Sequence, residues 1–371
     1  MTARFGLDAT EQALRARAEA IASTVERQGD RPLSREQLLD LFAALAPTGY
    51  LASTLPDAPA GKLGFAALVE GLSPHLPLLG NHSVQRYLAT FGTPAQRAAL
   101  LPDLLAGRSI ASIAITEPEA GGDLTRIATS ATREGSVYRI SGRKTWVTHG
   151  CVADVFVVLA ATEAGPTRFL VPASSPGLRR RALTSTGLRH LTFAELHFDH
   201  CEVGADAILG EPGQGNAGAK SAFPIARALA ALQTIRIGEA ALDLAAGFAR
   251  NRMIFKQLLA DSALVRDRIA AHAATLAAAR LLAYRCMLEL HDPATVAAAS
   301  SVKALACQAA LDACEWTLDL LGASALREDH ASQRLARNAR MMAVVDGTVV
   351  LNRFVAARRV LAAERPGDRG P

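Results

Sequence analysis

Small and special-purpose residues gather between positions 114 and 154 of this 371-residue chain. An apolar run ends at Thr116-Glu117-Pro118, and Gly121-Gly122-Asp123 follows as a loop whose backbone can approach a ligand closely. Farther on, Trp146 and Thr148 are two positions apart in an alternating segment, which predicts that both lie on one face of a strand. A flat aromatic ring beside a hydroxyl group suits a flat heterocycle with polar edges, although a tryptophan in a strand also serves plain packing.

Turn signals around these residues predict a sheet. Glu134-Gly135 and Ser141-Gly142 separate alternating segments, so we expect two tight hairpins, with the last strand reaching Thr148. The triplet Arg179-Arg180-Arg181 is typical of a solvated strand or loop, with a contact to phosphates as the alternative. Further strands are predicted near 154–160, 167–171 and 193–203.

Helices are predicted on both sides of this sheet. Before it, Ser34 followed three residues later by Gln37 forms a capping-box pattern, and Thr93-Pro94 is a typical helix start. Long helices with short links pack as an antiparallel bundle. The sequence therefore predicts an α+β chain that runs from helices through a β-sheet to a four-helix bundle. The alanine-rich segments that predict the bundle lie near 223–251, 261–290, 293–321 and 330–363.

The segment from 114 to 154 resembles the central β-domain signature of the acyl-CoA dehydrogenase superfamily, whose members are FAD enzymes. That signature reads T-E-P-x-A-G-S-D, then Y-x-[LI]-x-G-x-K-x-W-[IV]-T-x-G-x-x-A-D. This chain departs from it at Gly122, where serine is usual. It matches at Thr116, Glu117, Pro118, Ala120, Gly121, Asp123, Tyr138, Ile140, Gly142, Lys144, Trp146, Val147, Thr148, Gly150, Ala153 and Asp154.

The resemblance implies an architecture and a cofactor. It implies an N-terminal helical domain over 1–110, a central β-sheet or barrel domain over 111–218, and a C-terminal four-helix bundle over 219–371. It also implies FAD sites shared between the subunits of a homodimer or homotetramer. On the side of the sheet, the implied FAD contacts are Thr116, Gly121, Gly122, Trp146 and Thr148.

The resemblance also implies a catalytic base. In the family the last bundle helix begins at [YV]-E-G-T, whose glutamate removes the α-proton of an acyl thioester. This chain reads Val345-Asp346-Gly347-Thr348, which implies Asp346 as the base, Gly347 as a substrate contact and Thr348 as a cofactor contact. Asp is one C–C bond shorter than Glu, roughly 1.5 Å less in reach. We therefore expect the substrate to lie closer to the base or to carry a more acidic proton.

The bundle carries further residues that the resemblance places at the site. Arg227 stands where the family has an arginine early in the first bundle helix, and is an implied substrate contact. Arg252-Met253-Ile254-Phe255 matches R-x-x-F, which reaches the FAD diphosphate of a neighbouring subunit, and an arginine fork can bind two phosphate oxygens at once. Asp319 replaces the glutamine that meets the neighbour's FAD, and its carboxylate repels phosphate unless Lys256 or an arginine pairs with it.

The composition argues against several other classes of protein. The net charge of +5 is spread along the chain and no nucleic-acid-binding motif stands out, so we expect no nucleic-acid partner. No apolar run is long enough to span a bilayer and no signal peptide is evident, so we expect a cytoplasmic protein without a membrane partner. The five scattered cysteines indicate reduced thiols. His197 and His200 lack a third ligand, so no metal site is predicted.

The residues and the resemblance together favour FAD-dependent α,β-dehydrogenation of an acyl thioester. The acyl group is expected on coenzyme A or an acyl carrier protein, and the electron acceptor is an electron-transfer flavoprotein or O₂. The altered motifs resemble the biosynthetic branch of the family, which includes enzymes that make hydroxy- or methoxymalonyl extender units for polyketides. Two alternatives stay open. One is a flavin oxidase of nitroalkane type with Asp346 as its base, and the other is a non-catalytic scaffold that retains the fold.

Overall fold

The computed structural model describes residues 6–26, 30–80, 82–122, 126–217, 219–289 and 293–362. Asp123 of the sequence motif lies outside the described residues. The predicted order of helices, sheet and helices is confirmed, while the domain bounds 1–110, 111–218 and 219–371 stay a prediction. The helices that precede the sheet are α1 Ala9–Glu26, α2 Arg35–Leu45, α3 Gly61–Leu72, α4 His82–Phe91 and α5 Pro94–Leu105.

Two helix starts among these elements follow from local hydrogen bonds. Ser34 caps α2 and Thr93 caps α5, each through a complete capping box with the glutamine three residues on. Both predicted helix starts are therefore confirmed. A capping box stabilises a helix start because it satisfies backbone N–H groups that the helix cannot satisfy itself. Helix α4 was not predicted.

The central element is a seven-stranded sheet in the order β1-β4-β2-β3-β7-β6, with β5 paired to β4. The predicted hairpin turn at Ser141-Gly142 is wrong, since β3 runs through it and the register with β7 shifts there instead. Gly142 has a φ of 142°, and a Cβ at this position would lie 2.6 Å from Thr129 Cα. The glycine therefore marks a bulge. The strands are β1 Ala111–Ala114, β2 Ser130–Glu134, β3 Val137–Val147, β4 Val155–Thr162, β5 Gly165–Pro172, β6 Leu178–Ala182 and β7 Ala194–Gly204.

The C-terminal part is built from long helices, and its predicted fourth helix is in fact two. The chain leaves α9 after Met342 and enters α10 at Val349. Between them Asp346 and Gly347 have φ values of 53° and 95°, which a right-handed helix does not allow. These elements are α6 Ala219–Asn251, the hairpin β8 Met253–Ile254 and β9 Gln257–Leu258, α7 Ala263–Leu288, α8 Pro293–Leu321, α9 Ala331–Met342 and α10 Val349–Ala362.

Two of the remaining sequence predictions concern the solvent exposure of the arginine triplet and the redox state of the cysteines. Strand β6, which carries the arginine triplet, is largely exposed, as expected for a solvated strand. All five cysteines are free. In the part of the chain that the structure describes, no helix is both long and apolar enough to cross a membrane.

Buried imidazoles hold the loop between α3 and α4. His149 Nε2 lies 2.6 Å from Leu79 O, His190 Nε2 lies 2.8 Å from Pro77 O, and His82 Nδ1 lies 3.1 Å from Gly80 O. Each ring accordingly donates an N–H to a carbonyl of the loop. Burial lowers the pKa of His82 and of His149 to about 4, and that of His190 to about 3.

We expect the free energy of unfolding to fall as the pH decreases through the range between the ordinary histidine pKa of 6.5 and about 4. In this range the unfolded chain binds protons on these imidazoles and the folded chain does not, so acid favours unfolding. Each such histidine contributes about 1.4 kcal/mol for each pH unit of the range. Urea unfolding across the range measures the slope. His149→Gln should flatten it, and an equal slope in that variant would contradict the assignment.

Candidate active site

A buried ion pair ties the glycine loop to the strand that carries Trp146. Lys144 Nζ lies 2.7 Å from Glu117 Oε1 and also donates to Ile115 O at 3.0 Å. The Glu117 carboxylate accepts the backbone N–H groups of Ala128 and Thr129 at 2.7 and 3.0 Å. Burial alone would raise the pKa of Glu117, but these hydrogen bonds lower it, so the carboxylate is ionised. The ion pair and these hydrogen bonds therefore join the beginning and the end of the glycine loop, and Gly121 and Gly122 between them are exposed to solvent.

Trp146 lies next to this loop with much of its indole in solvent. Its side chain is 48% exposed, and its ring meets Phe193 edge-on with centroids 5.6 Å apart. Its φ of 56° shows that regular strand geometry fails here, and β3 ends one residue later. The predicted shared strand face for Trp146 and Thr148 is therefore wrong. Thr145 N–H donates to Thr116 O at 2.9 Å, which keeps Thr116 beside the end of the strand.

The glycine loop meets the segment between α9 and α10. A Cβ on Gly122 would lie 3.2 Å from Leu351 Cδ2, and a Cβ on Gly347 would lie 3.1 Å from the same atom. Leu351 thus packs between the two glycines. Two motifs that are more than 220 positions apart in the sequence are thus brought together at one place, where a side chain on either glycine would crowd Leu351.

Asp346 lies in this segment within electrostatic range of two cationic side chains. It is partly buried, and Arg227 from α6 and Lys303 from α8 both interact with its charge. Burial raises the pKa of Asp346, while the two cations oppose that rise. Arg227 Nη1 donates to Ser300 Oγ at 3.0 Å, and its Nε has no hydrogen-bond partner among the described residues. An arginine with an unused donor beside a carboxylate is suited to bind an acidic or carbonyl ligand.

Lys303 is the site residue that sequence reasoning missed. Its side chain is fully buried, and its Nζ donates to Gly347 O at 2.5 Å and to Ala343 O at 3.2 Å. Asn352 Nδ2 also donates to Gly347 O, at 2.8 Å. Thr348 accepts the N–H of Leu351 at 3.1 Å and so caps α10. A signal was present, because Lys303 follows Ala299 by four positions and precedes Ala306 and Ala310 by three and seven, the spacing of one buried helix face.

Three predicted residues lie away from this place. Arg252 and Phe255 follow the C-terminal end of α6, which puts them about 35 Å along the helix axis from Arg227. Phe255 is 98% exposed at the tip of the β8–β9 hairpin. Asp319 is exposed near the end of α8, and no ion-pair partner for it occurs within the described ranges. These residues cannot complete the site beside Asp346 in the same chain.

Comparison with known proteins shows the family to which this chain is similar. Residues 112–201 match the model of the acyl-CoA dehydrogenase middle domain, and residues 213–361 match that of the C-terminal domain. Cyclohex-1-ene-1-carbonyl-CoA dehydrogenase of Geobacter metallireducens is 31% identical over 351 residues, covering 90% of this chain and 91% of that protein. The chain belongs to the acyl-CoA dehydrogenase family. Human mitochondrial short-chain specific acyl-CoA dehydrogenase is 32% identical over 282 residues, covering 74% of this chain and 68% of that one.

Solved structures confirm the predicted fold. Acyl-CoA dehydrogenase of Geobacillus kaustophilus superposes with a TM-score of 0.87 at 26% identity, covering 97% of this chain and all of that one. Butyryl-CoA dehydrogenase of Megasphaera elsdenii gives a TM-score of 0.87 at 23% identity, with the same coverage. The protein is an FAD-dependent acyl-CoA dehydrogenase, an oxidoreductase that acts on CH–CH bonds.

The residues of this chain fit the flavin that the family uses. The indole of Trp146 is half in solvent, and a Cβ on the neighbouring loop residue Gly121 would have no atom within 4 Å. An aromatic surface beside an open glycine backbone is suited to a flat ring system with a phosphate-bearing tail. Trp146, Thr148, Thr116 and the two loop glycines are the residues that would hold it on the side of the sheet.

Proposed function

We propose that Asp346 is the base that removes the α-proton of an acyl thioester in this dehydrogenase. The observation that carries the proposal is the position of Asp346, partly buried in the break between α9 and α10 and within electrostatic range of Arg227 and Lys303. Burial raises the pKa of Asp346, and a carboxylate that is harder to ionise is a stronger base once ionised. Bound FAD supplies the acceptor for the hydride that leaves the β-carbon.

The remaining roles follow from the same surroundings. Arg227, whose Nε has no hydrogen-bond partner among the described residues, binds the substrate near its carbonyl group, and Gly347, in the left-handed turn beside Asp346, is the substrate contact next to the base. Positive charge from Arg227 favours the negative charge that develops on the thioester oxygen as the α-proton leaves. Thr348 fixes the start of α10 and lies next to the cofactor loop through Leu351.

Anaerobic mixing of the yellow protein with butyryl-CoA tests this function. We expect the visible flavin absorbance to bleach, because proton removal at the α-carbon and hydride loss at the β-carbon reduce the flavin. Nitroethane, which offers an acidic proton without a thioester, should leave the flavin oxidised. Bleaching by nitroethane alone would refute the proposal in favour of a nitroalkane oxidase, and a colourless protein would refute it in favour of a scaffold.

The carrier of the acyl group and the electron acceptor belong to the same proposal. Coenzyme A as carrier is supported by the relatives, whose names are those of acyl-CoA dehydrogenases. The narrower role in making polyketide extender units on an acyl carrier protein stays a prediction, and comparing turnover of one acyl group on both carriers tests it. We infer an electron-transfer flavoprotein as acceptor. A turnover rate that is the same with O₂ alone would exclude this.

The exposed hairpin after α6 supports a homo-oligomer. Met253, Ile254, Phe255 and Leu258 are 54%, 40%, 98% and 39% exposed, which is unusual for an apolar β-ribbon in water. Because Arg252 lies about 35 Å from Arg227 along α6, the hairpin would contact the cofactor of another subunit rather than its own. Sedimentation velocity tests the assembly, and a single species at the monomer mass of 39.0 kDa would exclude it.

A further inference from the structure

Lys303 is buried at a cost that packing alone does not explain. Its side chain lies in the middle of α8 among alanines, and none of it reaches solvent. Burial lowers the pKa of Lys303, Cys307 and then Asp346 oppose this and raise it, and Arg227 lowers it further. Removing an ammonium from water is expensive unless the charge is compensated. In this interior, Asp346 is the carboxylate whose charge offsets that of Lys303.

The contacts of Lys303 all converge on the segment that carries Asp346. Its Nζ donates to the carbonyls of Ala343 and Gly347, which lie three residues before and one residue after Asp346. One turn farther along α8, Cys307 Sγ lies 3.6 Å from Met342 O and donates to it. The left-handed conformation of Asp346 is therefore held on both sides by donors from α8.

We propose that Lys303 is a positioning residue for Asp346, since its ammonium fixes the turn around the base through two carbonyls and places a positive charge within electrostatic range of the carboxylate. This inference rests on the proposed function, in which Asp346 is the base. Lys303 touches neither substrate nor cofactor in this role. It acts through the backbone and the charge of its neighbour.

The positive charge of Lys303 should shift the pKa of Asp346 in one direction, downwards. The titratable groups that face Asp346 within the described ranges are Lys303 and Cys307 on α8 and Arg227 on α6. Burial raises the pKa of Cys307, so its thiol is neutral. A neutral residue at position 303 leaves Arg227 as the remaining cation, and the pKa of Asp346 rises. The fraction of enzyme with an ionised base then falls on the acid side of the pH profile.

Lys303→Gln and Lys303→Arg separate charge from hydrogen bonding. Glutamine keeps a donor and removes the charge, whereas arginine keeps the charge. In the holoenzyme, the carboxyl infrared band that Asp346→Asn removes reports the protonation of Asp346 directly, and the acid limb of kcat/KM reports it in turnover. We expect both to move to higher pH in Lys303→Gln and to stay near the wild-type position in Lys303→Arg. At a pH on the acid limb, kcat/KM of Lys303→Gln should be about tenfold lower for each pH unit that the limb moves.

Lys144→Gln is the matched control, since it also removes a fully buried lysine that donates to a carbonyl, but beside Glu117. It should lower stability and weaken FAD binding, so it is measured with excess FAD, and neither the infrared band nor the acid limb should then move. Equal band and limb positions in wild type and Lys303→Gln would overturn the proposal, as would an equal displacement in Lys303→Arg. If Asp346→Asn instead turns over at the wild-type rate, the proposed base is wrong, while the infrared titration still decides whether Lys303 controls the carboxyl.

Discussion

Asp346→Asn is expected to bind FAD and to lose reduction of that flavin by butyryl-CoA, with the rate constant falling by about 10²- to 10⁴-fold. Asparagine has the shape of aspartate and cannot accept the proton. The side chain lies in a turn whose backbone is held from outside by Lys303 and Asn352, so the turn should survive the change. Anaerobic stopped-flow bleaching measures the rate, and the flavin absorbance of the purified variant reports cofactor binding.

Asp346→Glu is the control that keeps a carboxylate. Its side chain reaches roughly 1.5 Å farther, and a misplacement of that order can cost about a hundredfold. Its rate should nevertheless keep an acid limb, because the base still titrates, whereas the residual rate of Asp346→Asn should not depend on that ionisation. Bleaching by Asp346→Asn at the wild-type rate would remove Asp346 from the chemistry. A wild-type rate in Asp346→Glu would show that the length of the base does not limit the reaction.

Much of the local structure could be predicted because its causes lie within a few residues. The capping boxes at Ser34 and Thr93 need one partner three positions away, and both are present in the structure. The alternation of β2 and the beginning of β3 likewise reflects one turn at Glu134-Gly135. Where the cause is distant, prediction failed. Gly142 lies in a bulge rather than a turn because β3 continues to pair with β7, a strand more than fifty positions later.

At the site, too, features with a local cause could be predicted and features that depend on distant residues could not. The residue types at Trp146, Gly122 and Asp346 were evident from a family motif, but the contact of Gly122 and Gly347 through Leu351 could not be predicted, because no motif marks Leu351. Composition predicted one helix across the break between α9 and α10, because the segment keeps helical composition apart from the left-handed Asp346 and Gly347. The family motif at 345–348 did imply a helix start there, and α10 begins at Val349. Lys303 was missed because a lysine in an alanine-rich helix usually faces water. Its spacing with Ala299, Ala306 and Ala310 places it on one helix face, but that this face is the buried one becomes clear only when the partner helices are known.

Lys144→Met is expected to cause the second large effect, a decrease in the free energy of unfolding. The substitution leaves the Glu117 carboxylate buried without its cation, and breaking a buried ion pair on one side costs about 3–5 kcal/mol. Two backbone N–H groups still donate to Glu117, which keeps part of the interaction. Because the pair closes the loop that carries Gly121 and Gly122 against the strand of Trp146, the variant should also release FAD more readily. Urea unfolding of the holoenzyme and flavin fluorescence on dilution measure the two effects.

Arg108→Met is the control for Lys144→Met, because it removes a positive charge from an ion pair that is exposed rather than buried. Arg108 pairs with Asp103 at 2.7 Å, but both side chains are more than half exposed, and such pairs contribute at most about 1 kcal/mol. The double variant Glu117→Gln/Lys144→Met should recover part of the stability lost in Lys144→Met, because no unpaired charge remains buried. If Lys144→Met is as stable as Arg108→Met, the ion pair does not hold the loop. The closeness of the glycines to Trp146 must then come from Leu351 and the bundle instead.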